Sequence, residues 1–293
     1  MIFLISALIG SATLILLLLL LNRRLRRSLT APREPILYTL AEHGLSGQAI
    51  RIPTQRHRML DGWLLPGQPN QGLVVITHGW GANRELMLPL ARPLQAAGFS
   101  VLLFDARNHG SSDSDNFSSM PRFAEDIDAA LAWLKTQPDL SIKRTALIGH
   151  SVGAAATLLA ASRRADISAV VSLAAFAHPD GMMRRWLAEK GLPFFPLGWY
   201  VLTYVQWVIG YRFDAIAPVN SIQSIRCPIL LMHGSEDTTV PPDDAKALYE
   251  RRPHHEVILR ILPGEHDASD EIGQHMDELA GFLKHHLVPK QAI

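Results

Sequence analysis

Cysteine is almost absent. Cys227 is the only one, which excludes an internal disulfide and is compatible with a reducing compartment. Excess charge is missing as well: 28 lysines and arginines face 27 aspartates and glutamates, and a net charge of +1 gives no case for a nucleic-acid partner. The usual marks of metal chemistry are lacking, with no H-E-x-x-H and no paired cysteines. His254 and His255, adjacent in sequence, would point apart in a strand. No metal and no cofactor are therefore expected. Neither an internal repeat nor a low-complexity tract interrupts the chain.

Charge is also missing from the first twenty-two residues. Met1 to Leu21 is almost wholly apolar, broken by Ser6, Gly10, Ser11 and Thr13, and about twenty such residues suffice to cross a bilayer as a helix. A cleaved signal peptide would carry a basic region before this run and a small-residue cleavage site after it, and neither is there. Instead Arg23, Arg24, Arg26 and Arg27 follow directly. Positive charge gathers on the cytoplasmic side of a span. Residues 1–21 are thus expected to be an uncleaved single-pass anchor in the cell membrane, with the rest of the chain in the cytoplasm.

Beyond the anchor, residues 22–45 read as a basic linker interrupted by Pro32 and Pro35, and residues 46–293 as one sizeable domain. Gln48–Pro53 and Met59–Leu65 read as an opening pair of strands around a basic turn. Apolar strands then alternate with helical patterns, which predicts an α/β fold: a mostly parallel sheet covered by helices on both faces. Helices are predicted near 84–97, 122–135, 152–164, 242–251 and 270–286. An insert at about 176–226 breaks the alternation. It holds Trp186, Phe194, Phe195, Trp199, Tyr200, Tyr204 and Trp207, a composition that favours an apolar lid or a membrane-facing surface.

Gly149-His150-Ser151-Val152-Gly153 reads G-x-S-x-G. The apolar run Thr145–Ile148 leads in and the small-residue helix pattern Gly153–Ala161 leads out. A strand turning sharply into a helix would hold the serine hydroxyl at the tip, with the glycines allowing close approach. Such a serine needs an acid and a base, which in this architecture follow it in chain order. Ser235-Glu236-Asp237 lies just past the strand pattern Pro228–Gly234, and Pro263-Gly264-Glu265-His266-Asp267 just past Glu256–Leu262. Both loops fall at the carboxyl ends of strands, where open parallel sheets place their ligands. Upstream, the β-branched strand Leu73–Thr77 ends in His78-Gly79-Trp80-Gly81, a loop able to turn a backbone N–H toward the site.

These pieces resemble a serine-type α/β-hydrolase, close to the bacterial esterase, lipase and acyl-peptidase-like branch. The matching stretches are His78–Gly81, Asp105-Ala106-Arg107-Asn108-His109-Gly110-Ser111-Ser112, the elbow at Ser151, His233–Asp237 with Val240-Pro241, and Gly264-Glu265-His266. They occur in family order over roughly residues 47 to 288. The resemblance implies a nucleophile at Ser151 and a base at His266. It also implies an orienting acid at Asp237 and an oxyanion hole from the N–H groups of Trp80 and Val152, with a cap at the insert. The residue chemistry agrees, because a serine hydroxyl is a poor nucleophile until a base takes its proton. Glu236 and Asp180 compete with Asp237 as the acid. His109 precedes the serine and is excluded as base by chain order, so the Asp105–Ser112 cluster is read as knitting loops together.

The expected activity is cleavage of a carboxylic ester or related acyl bond in a small-molecule or lipid-like substrate. Three alternatives stay open: acyl transfer through the same serine, peptide cleavage, and a non-catalytic membrane-tethered binding module, since fold alone does not fix function.

Overall fold

The computed structural model describes residues 2–137, 144–267 and 275–288. Eight strands form one sheet in the order β1-β2-β4-β3-β5-β6-β7-β8. The strands are β1 (Gln48–Thr54), β2 (Arg58–Leu65), β3 (Leu73–Thr77), β4 (Ser100–Phe104), β5 (Thr145–His150), β6 (Ala169–Leu173), β7 (Ile229–Gly234) and β8 (Val257–Leu262). Only β2 runs against the rest. β1 pairs antiparallel with β2 and β2 with β4, while β4, β3, β5, β6, β7 and β8 are parallel neighbours.

The central strands are apolar on both sides because both faces are covered. Leu73 and Val75 of β3 belong to one core with helices α3 (Met120–Leu134) and α4 (Val152–Ser162). Val74 and Ile76 belong to the other, with α2 (Leu88–Ala96) and the C-terminal helix (Met276–Leu287). The first core also takes in the insert, which is helical: α5 (Pro179–Glu189), α6 (Trp199–Ile209) and the short α7 (Phe213–Ile216) and α8 (Pro218–Ser221). α9 (Pro242–Glu250) and the C-terminal helix, α10, close the order.

Two helix expectations shift. The helix predicted near 84–97 opens as a single 3₁₀ turn, Glu85–Met87, before α2 begins. That predicted over 270–286 appears as α10 from Met276, and residues 268–274 lie outside those described.

The N-terminal helix α1 covers Ile2–Ser28 and is long and apolar enough to cross a membrane by length and composition. It runs seven residues past the predicted end of the span. Arg23, Leu25, Arg26 and Arg27 are good helix formers, and basic groups suit the negative end of the helix dipole. The linker expected from residue 22 therefore starts at Leu29, and the stretch is docked rather than free. Leu25, Ala31 and Leu40 are buried. Arg33 donates to the Gly110 carbonyl (3.2 Å), the Asn83 amide to the carbonyls of Glu34 and Pro35, and Ser118 N–H to the Leu29 carbonyl (2.7 Å). Side-chain chemistry in the loops fixes this strap, which no local pattern in residues 29–45 announces.

Candidate active site

Three strand ends build the site. β5 ends at His150, and Ser151 follows with φ +54° and ψ −119°, a conformation an L-residue adopts only under constraint. The constraint is visible on both sides. Ser151 N–H donates to the carbonyl of Leu173 at the end of β6 (2.8 Å). A Cβ on Gly149 would collide with the Gly153 carbonyl, and one on Gly153 with the carbonyls of His78 and Thr77. Only glycine lets β3, β5 and α4 meet this closely, and their meeting holds the serine at the tip of the turn.

His266 and Asp237 reach that tip from β8 and β7. Ser151 Oγ–H donates to His266 Nε2 (2.9 Å), and His266 Nδ1–H donates to Asp237 Oδ2 (2.7 Å). The other carboxylate oxygen, Oδ1, accepts from the N–H groups of Thr239 (3.0 Å) and Val240 (2.7 Å). Burial of Asp237 would raise its carboxyl, but hydrogen bonds from His233, His266 and Val240 outweigh that and hold it well below the usual carboxylate range. The Asp237 carboxylate is thus ionised and aimed at the imidazole.

The rival acids stand elsewhere. Asp180 sits in the first turn of α5 and pairs with Arg184 (2.6 Å). Glu236 is exposed. The N–H groups of Trp80 and Val152 bond to no protein acceptor among the described residues, and a Cβ added to Gly79 would come within 3.3 Å of the Ser151 Cβ. Free donors next to the serine suit a developing oxyanion.

Two histidines support the line in ways their motifs did not disclose. His150 Nε2–H donates to the backbone carbonyl of His266 (2.9 Å), so the residue before the serine fixes the loop that carries His266. Burial lowers its pKa, which keeps it neutral for that role. His233, four residues before Asp237, donates from Nε2 to the Val240 carbonyl (2.7 Å) and lies 3.2 Å from Asp237 Oδ2. Its place in His233–Asp237 was legible, but its partner across the turn was not.

The polar cluster after β4 knits loops, as expected. Asp105 Oδ1 accepts from Arg84 N–H (2.7 Å), while Oδ2 takes the Arg84 guanidinium and Ser111 N–H (2.8 Å). Ser112 Oγ–H donates to the Asp105 carbonyl (2.6 Å), and buried Arg107 binds Asp126 (2.8 Å) and Glu125 (2.6 Å). His78 ties this cluster to the site: Nδ1–H donates to the Gly79 carbonyl (2.7 Å) and Nε2 accepts from Ala106 N–H (3.0 Å). His109 packs between His78, Trp80 and Phe123.

Burial pushes Cys227 up to about 11, which leaves it a packing residue rather than a second nucleophile. One trio among the described residues, His150, His266 and Asp267, could in principle face a metal ion. Both ring nitrogens of His266 are already engaged, however, and His150 Nε2 is spent on a carbonyl.

The buried histidines make stability pH-dependent. Desolvation pushes His78 down to about 4 and His109 to about 3. An unfolded chain holds both near the ordinary value of about 6.5. Between those values the unfolded state binds protons that the folded state refuses, so stability falls as pH drops from about 6.5 toward 4. His78 alone accounts for roughly 3 kcal/mol across that window. Calorimetric melting between about pH 7.5 and pH 4.5 should show the midpoint falling steadily. A flat profile would mean that these imidazoles are not held neutral in the fold.

Residues 68–204 match the family described as serine aminopeptidase, S33. An uncharacterized 31.7 kDa protein of Escherichia coli is 25% identical over 240 residues, 66% of this chain and 84% of that one. A polyketide transferase of Aspergillus fumigatus is 24% identical over 290 residues, covering 83% of this chain and 99% of its own. Among solved structures, an esterase of Pyrococcus furiosus superposes with a TM-score of 0.72 at 24% identity, over 88% of this chain and 99% of that one.

Proposed function

We propose that this chain, which has the α/β-hydrolase fold, is a membrane-anchored serine hydrolase that cleaves a carboxylic ester or related acyl bond through an acyl-enzyme. The observation that carries the reading is the unbroken hydrogen-bonded line from Asp237 through His266 to Ser151. In it His266 Nε2 takes the proton as Ser151 Oγ attacks the carbonyl carbon, and Asp237 stabilises the imidazolium. The oxygen of the tetrahedral intermediate gains negative charge beside the N–H groups of Trp80 and Val152. Each such donor contributes on the order of 3 kcal/mol to lowering a barrier. The proton then passes from His266 to the departing alkoxide, and a water activated by the same imidazole releases the acid.

Anchoring is supported by the length and apolar composition of α1, and the cytoplasmic placement of the domain by the four arginines that end it. Transfer of the acyl group to an alcohol or thiol is the second reading, favoured by the similarity to a polyketide transferase along nearly all of that protein's length.

A panel of p-nitrophenyl esters of graded chain length, with matched thioesters and anilides, tests the proposal. Esters are expected to turn over fastest, with free acid as product. Acyl product appearing only when an alcohol or thiol is added would shift the reading to transfer. No turnover of any class by the folded protein would remove the hydrolase reading.

A further inference from the structure

The foot of α1 meets the cap at one residue. Tyr200 and Tyr204, one turn apart on α6, both donate their hydroxyl protons to Asn22, at Oδ1 (2.7 Å) and at the carbonyl oxygen (3.3 Å). Asn22 is the first residue past the apolar run that ends at Leu21. α6 is therefore pinned at the level where that run stops. Around it, Leu25 of α1 and Val201, Leu202 and Val205 of α6 share one buried core, so the joint is packed and not a loose tether.

Next to the tyrosines, the face of α6 that carries Trp199, Thr203 and Trp207 is uncovered. Trp199 and Trp207, two turns apart and so on neighbouring parts of the helix surface, are 55% and 72% exposed. The Trp207 ring lies against that of Tyr204 (5.8 Å between centroids), which joins the exposed face to the pinned one. Tryptophan and tyrosine concentrate where hydrocarbon gives way to headgroups, because the ring is apolar and its polar edge stays wet.

Beside this face opens a groove of about 420 Å³ lined by Arg23, Arg26, Arg27, Asn116 and Tyr204. None of the three guanidiniums forms a hydrogen bond or ion pair among the described residues. Three unpartnered forks at the end of an apolar span match the phosphates of anionic lipids in charge and geometry.

We propose that the Trp199–Trp207 face of α6 and the adjoining arginine groove rest in the headgroup layer of the bilayer crossed by α1, with the arginines on lipid phosphates. The proposal rests on reading α1 as a span. It lays the domain against the membrane, so that a lipid-like acyl ester would be met where it resides.

The test uses the full-length protein in nanodiscs of phosphatidylcholine, with and without phosphatidylglycerol, and lipids spin-labelled near the headgroup to quench tryptophan emission. The wild type should be quenched, and Trp199→Phe/Trp207→Phe should lose most of that quenching. Equal quenching of the two proteins overturns the placement of α6. Phosphatidylglycerol should deepen quenching in the wild type but not in Arg26→Gln/Arg27→Gln. No such difference overturns the arginine half, and so does a difference abolished by inorganic phosphate, since the groove would then hold a free anion. Carbonate washing separates the two readings. Protein released from membranes by carbonate sinks the anchor itself, whereas protein that is retained yet unquenched sinks only the proposed surface.

Discussion

Ser151→Ala is expected to bring turnover down to background while leaving the protein folded. The hydroxyl it removes is the only nucleophile in the line, and Cys227, the one thiol, is silenced by its high pKa. His266→Ala should cost as much, and the double variant scarcely more, because groups acting as a unit do not add. In a comparable triad the loss of serine or histidine is on the order of 10⁶ in kcat. A fluorophosphonate probe should label the wild type and not Ser151→Ala. Equal labelling of both would take Ser151 out of the mechanism, whatever the geometry.

Asp237→Asn should be the next most damaging change, at a cost of about 10⁴ in kcat by analogy with serine-protease triads. The local bonds explain why so small an edit would matter. Oδ1 is held by the N–H groups of Thr239 and Val240, so an asparagine would keep its carbonyl there and turn its NH₂ toward His266. Two donors would then face each other across the 2.7 Å contact now made by His266 Nδ1–H. The imidazole escapes by moving its proton to Nε2, the atom that must accept from Ser151. Asp180→Asn should be silent, since that carboxylate serves Arg184 on the surface of α5. Circular dichroism would certify that both variants are folded. A crippled Asp180→Asn beside an unaffected Asp237→Asn would reverse the choice of acid.

Legibility in the sequence follows how local each cause is. Leu73–Thr77 and Thr145–Ile148 are short apolar runs whose strand character needs no partner to recognise; the first appears as predicted and the second within β5, which continues to His150. The elbow is equally local: Gly149, Ser151 and Gly153 lie within five residues, and the clash that a Cβ would cause explains the spacing. The roles of His150 and His233 depend on carbonyls of His266 and Val240 brought in by other segments, so no spacing could display them. The foot of α1 was hidden for the same reason. Prolines 32 and 35 suggest a loose connector, yet Asn83, Ser118 and Tyr200 each bind part of the stretch from distant positions. Exposure of Trp199 and Trp207 also had to be seen, because composition alone left lid and outer surface equally open.

The joint between Asn22 and the cap has a consequence for how the chain is made. Its tightest bond connects residues 178 apart in sequence. Closing so long a loop costs about 2.5 kcal/mol more than closing one of roughly ten residues, so this contact forms late. For a chain anchored as proposed, the first helix is already in the bilayer while the ribosome is still producing the sheet. Leu25 then waits beside the membrane until α6 emerges to cover it. In such a chain this joint is thus assembled on a tether, within reach of the lipid surface, and the place where the protein is made and the place where it works become the same.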